Sequence, residues 1–176
     1  MSNKYELTDE TKVVYGVTLR RIRALIAIGT TVAAGQLGGW VEGENNLDQS
    51  GNAWVYGNAW VYGDARVFGD AWVYGNARVS GNAQVSGDAR VSKTRHYLLI
   101  GPVGSEDRTV TICRTRADDT TGHYVQAGCW AGTVDQLAER ITTAWPDLSE
   151  KKRARYRGEY EAVIALARPR IQRWVK

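Results

Sequence analysis

The chain is poor in the residues that carry most protein chemistry, with two cysteines and two histidines among 176 residues. Cys113 and Cys129 cannot build a disulfide framework at this size, and they read as free, half-buried thiols. His96 and His123 add two more potential ligands, but no Cys or His pair stands at the close spacing of a metal site. No metal and no other cofactor is expected. There is no run of about 18 apolar residues, which excludes a membrane-spanning helix and a membrane partner. Met1-Ser2-Asn3-Lys4-Tyr5-Glu6 has neither the basic stretch nor the apolar core of a secretory leader, so a cytoplasmic location is the expectation. A phosphate-binding loop and a Gly-x-Ser-x-Gly turn are also missing, which removes two common enzyme classes.

What remains is ordinary in bulk, 43% hydrophobic with a mean hydropathy of −0.39. The length leaves room for one domain or two small ones. The net charge of +4 is unevenly placed. Residues 149–176 hold nine Lys/Arg and three Glu, so the last 28 residues carry +6 and the rest −2.

A repeat dominates the middle of the chain. Residues 51–92 read GNAWVY, GNAWVY, GDARVF, GDAWVY, GNARVS, GNAQVS, GDARVS. Each of the seven units opens with Gly, has Asn or Asp second, Ala third and Val fifth. No 3.6-residue period is present, which rules out a helix. Gly followed by Asn or Asp suits a corner with positive φ. Ala and Val lie two apart, so in an extended segment both face inward and the residues flanking Val face outward. One unit is one side of a coil.

This pattern resembles the hexapeptide-repeat proteins, whose parallel β-helices are three-sided and left-handed. The handedness comes from the resemblance, since the usual crossover preference is right-handed. The implied fold class is mainly β, a short three-sided parallel β-helix with a C-terminal α+β cap. Val41 and Leu47 extend the pattern backwards, with two extra residues around Asp48-Gln49-Ser50 bulging one corner. Nine sides make about three coils, a stack roughly 14 Å tall at normal strand spacing. Open ends of so short a stack need covering. The expected division is 1–35 as an N-terminal β cap, 36–92 as the β-helix and 93–176 as an α+β domain with a basic helix.

Sides three units apart should stack. Trp54, Trp72 and Arg90 then form one outward ladder beside Tyr56, Tyr74 and Ser92. Trp40, Trp60 and Arg78 form a second, flanked by Tyr62 and Ser80. Arg66 over Gln84, with Phe68 over Ser86, makes the third. Stacked indoles ending in arginine suit cation–π contact. These aromatics are covered by the same chain or a second copy, or they anchor a protein partner, or they stack bases or sugars.

In the flanks, residues 12–19 and 22–26 read as two strands or one bent strand. Residues 97–100, 109–113 and 123–127 read as three more. Thr133 and Gln136 have capping-box spacing, opening a helix with Leu137, Ile141 and Trp145 on one side. Ser149 is positioned to cap a second helix, with Tyr156, Tyr160, Val163, Ile164 and Ala167 inward and Pro169 breaking or kinking it. Lys151, Lys152, Arg153, Arg155 and Arg157 form either a solvated face or a patch for phosphate or nucleic acid.

The hexapeptide resemblance raises an acyltransferase reading. Those enzymes need a histidine on or beside the coils, and here none lies between Trp40 and Ser92. His96 follows the last coil without an evident carboxylate to orient it. The chain is therefore expected not to be an enzyme. The GNAxVxG and GDAxVxG strings, the Leu-Gly-Gly-Trp-Val segment and the segments 100–105 and 128–135 also resemble small proteins encoded by bacteriophages and prophages. That resemblance implies an accessory protein acting in an infected bacterium. It would bind a host protein or ribonucleoprotein complex, for example to inhibit a CRISPR–Cas defence system, and would form a dimer or trimer. A self-assembling scaffold is the remaining class.

Overall fold

A computed structural model describes residues 3–116 and 122–174, and the chain forms two compact units, residues 1–96 and 97–176. The boundary falls between His96 and Tyr97, so the strands assigned to a separate cap over residues 1–35 belong to the same unit as the repeats.

The first unit begins with a hairpin, β1 (Tyr5–Val14) and β2 (Val17–Ala24). Its turn is Tyr15-Gly16, both with positive φ (53° and 81°), the conformation that matches the twist of paired strands. This turn falls inside residues 12–19, which the alternation had suggested as one strand. β3 (Leu37–Val41) pairs antiparallel with β2 through Arg20–Val41 and Arg21–Trp40. From there every pairing is parallel.

Seven two-residue strands follow: β4 (Trp54–Val55), β5 (Trp60–Val61), β6 (Arg66–Val67), β7 (Trp72–Val73), β8 (Arg78–Val79), β9 (Gln84–Val85) and β10 (Arg90–Val91). They form three parallel ladders visited in rotation, β3-β5-β8, β4-β7-β10 and β6-β9. Successive partners are eighteen residues apart, 54 to 72, 60 to 78 and 66 to 84. The ladder bonds run from the residue before Val and the residue after it, for example Trp72 N–H to Ala89 O (2.8 Å) and Tyr74 N–H to Val91 O (2.9 Å). Every repeat Ala and Val is fully buried. All seven corner glycines adopt φ between 57° and 68°, which a side chain tolerates poorly.

The first turn of the repeat is tied down differently. Its register is twenty residues, Trp40 to Trp60 and Leu47 to Val67, because two residues are inserted after Leu47. The bulged Gln49 accepts from Lys4 N–H (2.9 Å) and Tyr5 N–H (3.3 Å), which fastens the start of β1. Lys4 is 2% exposed and its ammonium donates to Ser50 O (3.1 Å) and Ala53 O (3.0 Å). Asn46 closes the neighbouring corner, donating to Gly63 O and Ala65 O and accepting from Glu42 and Gly43 N–H. The Ser50, Ala53, Gly63 and Ala65 carbonyls, which these side chains reach, are thereby satisfied.

The second unit is a four-stranded antiparallel meander, β11 (Tyr97–Val103), β12 (Arg108–Arg114), β13 (His123–Ala127) and β14 (Trp130–Gly132), with helices α1 (Val134–Thr143) and α2 (Glu150–Ile171). β14 has only three residues, and no alternation betrayed it. Val110, Ile112 and Val125 from the sheet meet Leu137 and Ile141 from α1 and Tyr160, Val163, Ile164 and Ala167 from α2. Thr133 caps α1, accepting from Gln136 N–H, and the Gln136 amide returns to the Thr133 backbone. His123 Nε2 accepts Val134 N–H (2.9 Å), so this histidine helps to seat the first turn.

Three expectations need correction here. Pro169 does not break α2, for the helix continues to Ile171. Pro169 withholds one N–H from the carbonyl four residues back, a single bond lost close to the end of the helix. Ser149 precedes α2 but makes no side-chain cap. The thiols are not both half-buried: Cys113 is sealed in the core, where burial pushes it far above its ordinary value, and Cys129 is exposed.

The Gly38-Gly39 pair has a steric cause. A Cβ on Gly38 would lie 2.5 Å from Ile22 Cγ1 and 2.7 Å from the Trp54 ring, and one on Gly39 would lie 2.7 Å from Val55 Cγ1. Gly38→Ala should therefore cost about 1–3 kcal/mol in urea unfolding. Gly43→Ala, at an extended position (φ −157°) with open space around its Cβ, should stay within about 0.5 kcal/mol.

Candidate interaction surface

The parallel register brings the outward residues together as three ladders. Trp54 lies beside Trp72 and Trp72 beside Arg90. Trp40 lies beside Trp60 and Trp60 beside Arg78. Arg66 lies beside Gln84. Side-chain exposure differs sharply between these ladders, because the N-terminal hairpin folds over part of the surface.

The Trp40 ladder is occupied by the protein's own cations. Lys12 Nζ sits 4.0 Å from the Trp40 ring centroid and 4.4 Å from that of Trp60. Arg78 Cζ is 4.4 Å from the Trp60 ring, and Arg21 Cζ is 5.6 Å from that of Trp40. The Arg78 guanidinium also donates to Tyr15 Oη at 2.9 Å, so the tip of the hairpin is fastened to the ladder. Trp40 is 9% exposed, while Trp60 and Tyr62 are half-buried. Lys12 and Arg21 come from β1 and β2, and the repeat gave no sign of them.

Trp54 is not at the surface at all, and this overturns its expected place on an outward aromatic face. It is 0% exposed, with Tyr5 packed edge-on at a centroid distance of 6.3 Å, and its Nε1 finds no acceptor among the described residues. Tyr5 is buried as well, its hydroxyl donating to Leu47 O at 2.7 Å. The same repeat position therefore gives a core residue in one coil and a surface residue in the next.

Trp72 and Tyr74 are half-buried, and among the described residues the only ring or cation contact of Trp72 is Arg90, whose Cζ is 5.7 Å from the ring. Arg90 is held by donation to Asp70 O at 2.7 Å. Tyr56, 41% exposed, accepts from the Gln36 amide at 3.3 Å. This leaves Tyr56, Trp72, Tyr74 and Arg90 as the open part of the first ladder. On the third, Arg66 is exposed and reaches over half-buried Phe68 at 5.8 Å.

The basic stretch of α2 does not present its five cations together. Arg157 donates to Ile141 O (3.3 Å) and Thr142 O (3.0 Å), closing the last turn of α1. Arg153 reaches Pro146 O, and Arg155 pairs with Glu159. Only Lys151 and Lys152 are exposed without a partner among the described residues. His96, the one histidine near the coils, is buried, with Nδ1 3.1 Å from Ser92 Oγ.

Among the described residues no group of three or more His, Cys, Asp or Glu could hold a metal, and no helix is long and apolar enough to cross a membrane. Three adjacent copies of the YdcK beta solenoid repeat match, over residues 59–75, 71–84 and 83–96. The chain carries β-solenoid repeats. The matched stretch is less than a quarter of the chain. No curated protein matches it.

Two lysines fastening the hairpin have displaced proton equilibria. Burial lowers Lys4 to about 8 against opposition from Asp48. Lys12 is lowered to about 8 by desolvation first and then by Arg21 and Arg78. Between about 8 and the ordinary 10.5 the folded chain holds fewer protons than the unfolded one. Stability therefore rises with pH across that window, and is lost as pH falls through 8. Tyr5, pushed above its ordinary 10.0 mainly by burial, acts oppositely and lowers stability once the unfolded chain ionises. Urea midpoints should climb from pH 7.5 to a maximum near pH ~10 and then fall, and Lys12→Met should flatten the climb.

Proposed function

We propose that this protein is a non-catalytic binding module whose repeats form a three-sided, left-handed β-helix displaying an aromatic–arginine ladder to a macromolecular partner. The observation that carries the reading is the contrast between two ladders of one register. The Trp40–Trp60 ladder is filled by Lys12, Arg21 and Arg78, whereas among the described residues the one cation over Trp72 is Arg90, and Trp72 stands beside half-buried Tyr74 and exposed Tyr56. Tryptophan, tyrosine and arginine are the side chains that most often dominate binding energy, and a rigid ladder presents them at little entropic cost.

The partner follows from the resemblance to phage-encoded repeat proteins. It is a host protein or ribonucleoprotein complex of an infected bacterium, such as a CRISPR–Cas effector, bound in the cytoplasm by a dimer or trimer of this chain. Nucleic acid is a contact for Lys151 and Lys152 only. His96, buried against Ser92, is poorly placed as the base of an acyltransferase.

Capture from bacterial lysate by the immobilised chain tests the surface. Trp54→Ala is unsuitable as a control because that side chain is core, and its loss should cost about 3–5 kcal/mol of stability. The informative variant is Trp72→Ala with Tyr74→Ala. It should keep its thermal transition within a few degrees and lose the captured partner about tenfold or more. Unchanged capture by that variant, or equal loss with Arg66→Ala, would remove the nominated face.

A further inference from the structure

The second unit contains a cleft of about 390 Å³ between the β13–β14 turn, the end of α1 and the middle of α2. That volume lies within the range of small-molecule sites, about 300–1,000 Å³. Three of its lining side chains are aromatic. Trp130 stands on β14, Trp145 in the α1–α2 connection and Tyr160 on α2. Two guanidiniums, Arg108 and Arg140, and one carboxylate, Glu106, line the same space.

These groups are held in place rather than merely near one another. Trp145 packs on Tyr160 at 5.7 Å and on Tyr156 at 5.8 Å, and its indole N–H donates to Ser105 Oγ at 3.1 Å. Its backbone adopts φ +59°, an uncommon conformation for a bulky residue. Strain of this kind collects where a side chain is aimed for a purpose. Arg108 lies against the β13–β14 turn so closely that a Cβ on Gly128 would meet its Cδ at 2.5 Å. Glu106 pairs with Arg108. Arg140 stands over the Trp130 ring at 5.9 Å and, among the described residues, its guanidinium makes no hydrogen bond or ion pair. One of the two cations in the cleft is therefore unneutralised, with its donors open.

Flat apolar walls select a planar ring, and an arginine with open donors selects an anion it can hold in bidentate fashion. We propose that this cleft binds a small molecule joining a planar ring to an anionic group, a nucleoside monophosphate or an aromatic carboxylate. The ring lies between Trp130 and Trp145, and Arg140 takes the charge. Cys129, exposed at the rim in the two-residue turn between β13 and β14, is covered when the cleft is filled.

Cys129 supplies a local readout, because the other thiol, Cys113, is buried. The full chain is titrated calorimetrically with AMP, GMP, CMP, UMP and 4-hydroxybenzoate, each checked by the rate of N-ethylmaleimide addition to Cys129 measured by mass spectrometry. At least one probe should bind with sub-millimolar affinity and slow the addition several-fold, and the two probe types decide between phosphate and carboxylate. Arg140→Gln should weaken that probe about tenfold or more without shifting the melting temperature. Arg140→Lys should recover part of the affinity. No heat and no protection with any probe to about 10 mM would overturn the proposal. So would full affinity in Arg140→Gln, or inorganic phosphate binding as tightly as the ring-bearing probes.

Discussion

Everything in the first unit depends on the fit of alanine and valine inside an eighteen-residue coil. Two small inward residues per repeat let the three ladders pack closely, while the backbone bonds run within each ladder, and every repeat Ala and Val is sealed from water. A leucine in place of any of these alanines would overfill the interior. Once the register is set at eighteen residues, the outward positions have no freedom about their neighbours. Trp72 must lie between Trp54 and Arg90, and Trp60 between Trp40 and Arg78. The surface is thus a consequence of the core, and its rigidity is a property of the backbone ladder rather than of the aromatic contacts.

That constraint explains what could be read from the order of residues and what could not. The parallel repeats, the two-residue insertion after Leu47, the ladder partners and the capping box at Thr133 are local or periodic, and short-range physics suffices for each. Trp54 and Trp72 occupy the same place in pentapeptides that differ only at the corner residue, Asn-Ala-Trp-Val-Tyr and Asp-Ala-Trp-Val-Tyr, yet one is core and the other half-buried. The difference arises from Tyr5 and Ile22, far away in the chain, and from the absence of a Cβ at Gly38. Periodicity carries no such information. The LGGWV pair of glycines was visible, but its reason, room for an indole and a valine, exists only in three dimensions.

The basic helix makes the same point with charge. Five cations between 151 and 157 look like a patch when counted along the chain. At 100° per residue, Arg153 and Arg157 turn toward α1 and bond carbonyls at and beyond its end, while Lys151, Lys152 and Arg155 turn away. A guanidinium bonded to the final carbonyls of a helix contributes to folding, and its charge is partly answered by the helix dipole. The positive field of the last 28 residues is therefore weaker as a binding surface than the sum of charges implies. Pro169 likewise looked like a terminus because proline usually stops a helix, but it falls where only one interior bond is lost.

The treatment of the two tryptophan ladders separates structural from available aromatics. A cation–π contact is worth about 0.5–1 kcal/mol when exposed and about 2 or more when desolvated. Lys12 lies over both indoles and between two guanidiniums, a placement that lowers its own proton affinity. The fold tolerates three cations at one corner because the buried Trp40 ring, the half-buried Trp60 ring and the Tyr15 hydroxyl receive them. Among the described residues only Arg90 is laid over Trp72. Were aromatic repeats only a means of stacking coils, the later units would need no indoles, and indeed residues 76–92 keep the register with Arg, Gln and Ser at the same positions. The ladder bonds are kept where serine stands opposite, at 3.1 Å from Tyr62 N–H to Val79 O beside Ser80 and 2.9 Å from Tyr74 N–H to Val91 O beside Ser92. Coil stacking is thus satisfied without aromatics, so Trp72 and Tyr74 are left without a structural requirement that the neighbouring coils share.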